Sequence, residues 1–188
     1  IIRGRGYVVD ERDHVSVIGG SNMDIVGYPY KNLKRKDSNP GGVQVSMGGV
    51  GRNIAENLAR LGAHTKLFTV VGEDIYGEQI IKESQSYGID MSHVKKVLEE
   101  PTGTYLAILD HENDMDVAIA SMEIFKKLNA SYLEEHRHII QKSQAIVFDT
   151  NLEEEAFRFG VQLFKDNELF LDTVSHTKAL RAKEVIGY

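Results

Sequence analysis

Hydrophobic positions along this chain switch repeatedly between a spacing of two and a helical spacing, and that switch predicts the order of its elements. His14-Val-Ser-Val-Ile-Gly-Gly20 reads as a buried strand ending in glycines. Asp24–Tyr30 and Gly42–Met47 alternate like two strands around a polar loop containing Asn39-Pro40-Gly41. Ile54, Leu58 and Leu61, with Ala55 and Ala59 between them, predict a helix over 51–61. A strand at 65–71 and a helix near 75–87 follow, the helix carrying Ile75, Ile80 and Ile81 and stopping at Gly88. Val94–Leu98 is strand-like, and Thr104–Asp110 with Met115–Ala120 forms a second hairpin pattern. Ser131-Tyr-Leu-Glu134 predicts a capping box for a helix to about 142. Strand 145–149, helix 152–166, strand 169–174 and helix 176–186 complete the series. The alternation predicts an α/β fold with a mostly parallel sheet flanked by helices. The segments at about 24–48 and 103–121 interrupt it and are expected to form a second, smaller sheet.

Two constellations carry chemistry. The run Ser46-Met-Gly-Gly-Val-Gly-Arg-Asn53 opens directly into the first helix. Its glycines allow close backbone approach, and Asn53 places a carboxamide just inside the helix. Free N–H groups at such a turn can hold a polyhydroxylated or anionic ligand. A tight strand-to-helix turn without ligand is the competing reading. Upstream, Asn22 and Asp24 lie just past the end of the first strand, where ligands bind in open α/β sheets. At alternate positions of an extended backbone they face one side, and amide plus carboxylate suit adjacent sugar hydroxyls. An Asx turn that merely ends the strand is the alternative here.

Charge and composition narrow the classes. Lys+Arg 22 against Asp+Glu 28 gives a net charge of −6 over 188 residues, which disfavours a nucleic-acid surface. The basic run Lys31–Lys36 lacks interleaved aromatics and reads as a solvated loop. With no cysteine there is no disulfide or thiolate metal site, and a cytoplasmic setting is expected. The seven histidines show no metal-ligand pattern; His136 and His138 read as surface residues, and no metal site is expected. No apolar run is long enough to span a membrane, and Ile1–Val9 lacks the apolar core of a signal peptide. There is no P-loop, and the Gly49 region fails Gly-x-Gly-x-x-Gly because Ile54 replaces the third glycine.

Val17-Ile-Gly-Gly-Ser-Asn-Met-Asp24, Gly48-Gly-Val-Gly-Arg-Asn53 and Val71-Gly-Glu-Asp-Ile-Tyr-Gly77 resemble the N-terminal half of PfkB-type carbohydrate and nucleoside kinases, which have the ribokinase-like fold. Gly48–Gly62, Asp149-Thr-Asn-Leu152 and Leu171–Ala179 resemble the pseudouridine kinase branch. The resemblance implies that Asn22 and Asp24 bind ribose hydroxyls and that the Gly48-Gly49 backbone and Asn53 hold the same sugar. It gives Asn151 a further sugar contact, where related sugar kinases often carry Glu; Thr150-Asn-Leu-Glu153 also reads as a helix cap. It implies an ATP-dependent, Mg-assisted transfer of phosphate to the ribose 5′-hydroxyl of pseudouridine, with a β lid that closes over the sugar and pairs subunits into a homodimer. Other kinases of the family, for ribose, fructose, adenosine or inosine, and a non-catalytic sugar-binding or dimerisation module are the alternatives. The family's catalytic Asp lies in a Gly-Ala-Gly-Asp turn, and no Gly-x-Gly-Asp occurs here. Residues 1–13 therefore read as a lead-in and 14–188 as an incomplete kinase domain. No catalytic residue is assigned, the ATP and Mg ligands are expected mostly outside the chain, and residues 1–188 alone are expected to lack turnover.

Overall fold

A computed structural model describes residues 14–183. The predicted lead-in at 1–13 and the end of the helix predicted for 176–186 lie outside the described residues. In chain order the elements are β1 (Val15–Ile18), β2 (Asn22–Pro29), β3 (Gly41–Gly48), α1 (Val50–Arg60), β4 (Thr65–Phe68), β5 (Val70–Gly72) and α2 (Ile75–Ser86). There follow β6 (Ile89–Asp90), β7 (Lys95–Val97), β8 (Thr104–Leu109), β9 (Met115–Ser121), α3 (Ala130–Glu135) and α4 (Arg137–Ile140). The last are β10 (Ala145–Asp149), α5 (Glu154–Leu163), β11 (Glu168–Asp172) and α6 (His176–Ala179).

The main sheet has the order β11-β10-β1-β4-β6, and every pairing in it is parallel. Strand alternation sends neighbouring residues to opposite faces, and both faces are covered. Val17 and Leu67 pack with Ala55 of α1 and Ile80 of α2. Ile18, Phe68, Ile146 and Phe148 pack on the other side with Tyr132, Leu133, Phe157 and Phe164. A parallel sheet demands this double cover, because its crossovers place helices on its faces. The fold is the expected ribokinase-like α/β arrangement.

The two interrupting segments join in one four-stranded sheet of order β3-β2-β8-β9. Its register aligns Val45, Ile25, Leu106 and Ile119 in one row, and Val43, Gly27, Ile108 and Val117 in the next. Cross-strand partners share a face, so this face is apolar from edge to edge. The opposite face carries Asp24, Ser46, Gln44 and Tyr105.

Local expectations needed correction in several places. The strand predicted over 65–71 divides at Thr69. Gly19 N donates to Phe68 O (3.1 Å), after which the chain leaves β1 and Lys95 N donates to Thr69 O (2.9 Å), so β5 pairs with β7. The helix expected from a Ser131 cap is capped instead by Asn129, whose side chain accepts from Tyr132 N (3.1 Å), and it breaks at His136. His136 is half-buried rather than fully on the surface. Its ring lies 4.5 Å from Tyr132, 5.4 Å from His93 and 5.7 Å from Phe68, with Nδ1 2.9 Å from Tyr132 O. Leu61 and Ile75 are exposed, because Leu61 is the C-terminal cap of α1 and Ile75 opens α2.

Candidate functional site

From β1 the main sheet extends to β4 and β6 on one side and to β10 and β11 on the other. That reversal puts the switch point of the sheet at the carboxyl ends of β1 and β10, where open α/β sheets have their ligand crevice. Gly19 and Gly20 end β1 there, and Asp149 ends β10. A Cβ on Gly19 would sit 2.4 Å from Asp149 Oδ2, and one on Gly51 would sit 2.8 Å from the Gly19 backbone. The glycines thus allow β1, β10 and the start of α1 to meet.

Asp149 is fully buried. Its Oδ2 accepts from Gly20 N (2.9 Å), Gly51 N (2.8 Å) and Asn151 Nδ2 (2.9 Å), and its Oδ1 accepts from Asn151 N (2.9 Å). Burial pushes its carboxyl above the ordinary range, against the lowering effect of these donors. It sits at the N-terminus of α1, whose cap residue Gly49 offers no side chain, so a carboxylate from β10 caps that helix. Arg52 N also donates to Gly20 O (3.1 Å). Two N–H groups at the start of α1, which the glycine turn suggested were free for a ligand, are therefore held within the protein.

Asn22 is buried at the start of β2 and donates through Nδ2 to Asp24 Oδ1 (2.6 Å). Both side chains lie on one face of the strand. A Cβ on Gly48, paired with Asn22 in the sheet, would fall 2.3 Å from Asp24 Oδ2. Gly48 thus makes room for the carboxylate. Burial raises the Asp24 carboxyl above its ordinary value, and the Asn22 bond opposes that shift. Gly49 has φ 94° and ψ 124°, and a Cβ there would lie 2.3 Å from Gly20 O. This residue seats α1 against the Gly20–Ser21 backbone.

Asn53 is exposed on the first turn of α1, and its Oδ1 accepts from Arg52 Nη1 (2.9 Å). The buried Arg52 guanidinium also pairs with Glu56. The Asn53 amide nitrogen is thereby turned away from the arginine. Asn151 is buried beside Gly20, with Nδ2 on Asp149 and Oδ1 accepting from Lys178 Nζ (2.5 Å). The helix-cap reading of Asn151 does not hold. Glu153 is the cap residue of α5, and Thr150 Oγ1 donates to Thr173 O (2.7 Å) instead.

Sequence reasoning passed over Arg52, Asp149 and Lys178, which the structure brings to the candidate site. All three stood inside the motifs quoted for the family resemblance, but their roles depend on contacts across long stretches of chain. Asp74 of the Val71–Gly77 motif ties its turn together: it accepts from Gly77 N (2.8 Å) and Thr102 N (2.7 Å).

Among the described residues no group of three His, Asp or Glu side chains could hold a metal ion, and no helix is long and apolar enough to cross a membrane. The acidic side chains of the crevice, Asp24 and Asp149, are engaged by Asn22 and by N–H donors. The described residues therefore offer no ready-made all-protein cage for Mg.

A switch point at the carboxyl ends of β1 and β10, an amide–carboxylate pair beside it and a second sheet carrying that pair make up a ribokinase-like fold. Residues 12–184 match the pfkB family carbohydrate kinase, and the chain belongs to that family. It is 38% identical over 174 residues to the pseudouridine kinase of Escherichia coli strain K12, covering 93% of this chain and 56% of that protein. It is 30% identical over 155 residues to the guanosine-inosine kinase of Exiguobacterium acetylicum, covering 82% and 51% respectively. A carbohydrate kinase from Agrobacterium tumefaciens superposes with a TM-score of 0.86 at 27% identity, covering 93% of this chain and 58% of that one. The chain thus spans about half the length of the curated relatives it matches.

Proposed function

We propose that this chain supplies the acceptor-binding part of an ATP-dependent kinase that phosphorylates the ribose 5′-hydroxyl of a nucleoside, with pseudouridine as the acceptor. The observation that carries the reading is the half-buried Asp24 carboxylate held by Asn22 on the face of β2 beside the crevice. A carboxylate so placed accepts from ribose hydroxyls, and the Asn53 amide nitrogen donates to them. Gly48 and Gly49 contribute by shape, and Asn151 by holding the turn after β10. The 38% identity to a pseudouridine kinase favours that nucleoside, and the 30% identity to a guanosine-inosine kinase supports a nucleoside over a free sugar.

The four-stranded sheet acts in this reading as the lid, Asp24 facing the substrate. Its apolar face of Val43, Val45, Ile25, Leu106, Ile108, Val117 and Ile119 joins a second copy into a homodimer. The catalytic Asp is assigned to none of residues 1–188, since no Gly-x-Gly-Asp turn occurs among them, and the ATP ligands mostly to residues beyond them. The test is ATP-dependent phosphorylation by the full-length protein of pseudouridine, uridine, inosine, ribose and fructose. Pseudouridine is expected to give the highest kcat/KM. Preference for ribose or fructose would overturn the nucleoside assignment.

A further inference from the structure

We propose that Asp149 is a positioning residue for acceptor binding, its carboxylate locking the Gly20 segment, the first turn of α1 and the Asn151 turn into one arrangement. The inference rests on the acceptor-binding reading above and adds a residue that does not touch substrate. Three segments build the candidate site: the stretch from Gly20 into β2 bears Asn22 and Asp24, the start of α1 bears Asn53, and the turn after β10 bears Asn151. They lie far apart in sequence, and Asp149 bonds to all three.

The surroundings are shaped for this group. Gly19 and Gly51 both leave space that Asp149 fills, since Cβ atoms there would come within 2.4 Å and 3.1 Å of Oδ2. Its hydrogen-bond donors are the N–H groups of Gly20, Gly51 and Asn151 and the Asn151 amide, one from the helix N-terminus, where an anion is favoured. Asparagine has the same size and cannot replace it. Oδ2 takes three donors and Oδ1 a fourth, so an amide nitrogen at either position faces an N–H. On the far side, Asn151 passes the polarity outward: its nitrogen faces Asp149 and its oxygen accepts from Lys178. Loss of the carboxylate lets the three segments shift independently, and a misplacement of about 1 Å in a binding site can cost about a hundredfold.

The experiment compares full-length wild type with Asp149→Asn and with the milder Gly19→Ala, which pushes on the carboxylate without deleting a hydrogen-bonding group. Steady-state kinetics are measured separately for pseudouridine and for ATP. A positioning role raises the KM for the nucleoside about tenfold or more while the KM for ATP stays within about twofold. A merely structural role lowers the folded fraction and hence the apparent kcat, but leaves both KM values unchanged, and that result overturns the inference. If Asp149→Asn does not fold, the KM split of Gly19→Ala decides. Wild-type failure to turn over any acceptor overturns the kinase reading alone, and calorimetric affinity for the nucleoside then carries the comparison. No binding of any acceptor by wild type overturns both.

Discussion

Gly49→Ala in the full-length protein separates two costs that glycine usually hides together. Gly49 has φ 94°, which L side chains rarely adopt, and an added Cβ would lie 2.3 Å from Gly20 O and 2.6 Å from Ser21 Cα. Gly62 has nearly the same φ, 89°, but a Cβ there meets nothing within 4 Å. Gly62→Ala therefore measures backbone strain alone, about 1–3 kcal/mol. Gly49→Ala adds a collision with backbone that can move only by separating α1 from the end of β1, worth a further 1–3 kcal/mol by analogy with about the usual cost of overpacking. The sum of about 2–6 kcal/mol is a large part of an ordinary domain's stability of about 5–15 kcal/mol. Urea unfolding of the wild type and both variants at 25 °C reads the difference directly, and each kcal/mol lowers the Tm by about 2–4 °C at this size. The reasoning is refuted if Gly49→Ala is no less stable than Gly62→Ala. The same preparations, assayed for nucleoside affinity per folded molecule, show whether the close approach also shapes the binding site.

Asp24→Asn keeps the shape of the pair and removes its charge; since hydrogen bonds to charged groups contribute about 1.5–3 kcal/mol, kcat/KM for the nucleoside is expected to fall about 10- to 100-fold. Unchanged nucleoside kinetics would remove Asp24 from the site. Burial raises the Asp90 carboxyl, but bonds from Lys66 Nζ (2.6 Å) and Ser92 outweigh it and hold the group well below its ordinary value of 3.8. The folded value lies below the unfolded one, so this contribution is present above the ordinary value and is lost as pH falls beneath it. Asp90→Asn should flatten the acid limb of the stability profile below that value, and an acid limb identical to wild type would contradict the assignment. Val45→Lys combined with Ile119→Lys places charges at both ends of one apolar row. If the proposed dimer forms through this face, sedimentation should show the wild type as dimer and the variant as monomer, and a dimer unaffected by the pair would move the interface elsewhere.

The parallel sheet and its helices were legible because both periods are local properties: Val17, Leu67 and Phe148 announce strands, and Ala55, Leu58 and Ile80 announce helix faces. The second sheet was legible as an interruption, although its order depends on β2 and β8 pairing in parallel across most of the intervening chain. Caps were read less well. Ser131 has the better capping sequence, yet Asn129 wins because Tyr132 must bury its ring and donate its hydroxyl to His93 O (2.6 Å). For the candidate site, residue type and position single out Asn22, Asp24 and the glycines, and the structure brings Asn22, Asp24 and Gly48 together. Asp149 was not, since a carboxylate at a strand end looks like any turn residue until the donors from Gly20 and Gly51 are seen around it. Arg52 reads as a surface helix residue until Glu56 and Asn53 are found to enclose its guanidinium.

The two-sidedness of β2 restricts how its length can change. Residues 22 and 24 point to the crevice side, while 25 and 27 belong to the apolar rows. Inserting one residue between 22 and 25 would exchange the faces downstream of it, turning aliphatic side chains toward the face of Asp24 and polar ones onto the apolar surface. Two inserted residues would restore the phase, lengthening the strand by about 7 Å. Relatives of this domain should therefore differ in β2 by even numbers of residues, with odd changes confined to the loop at 30–40, where no pleat has to be kept.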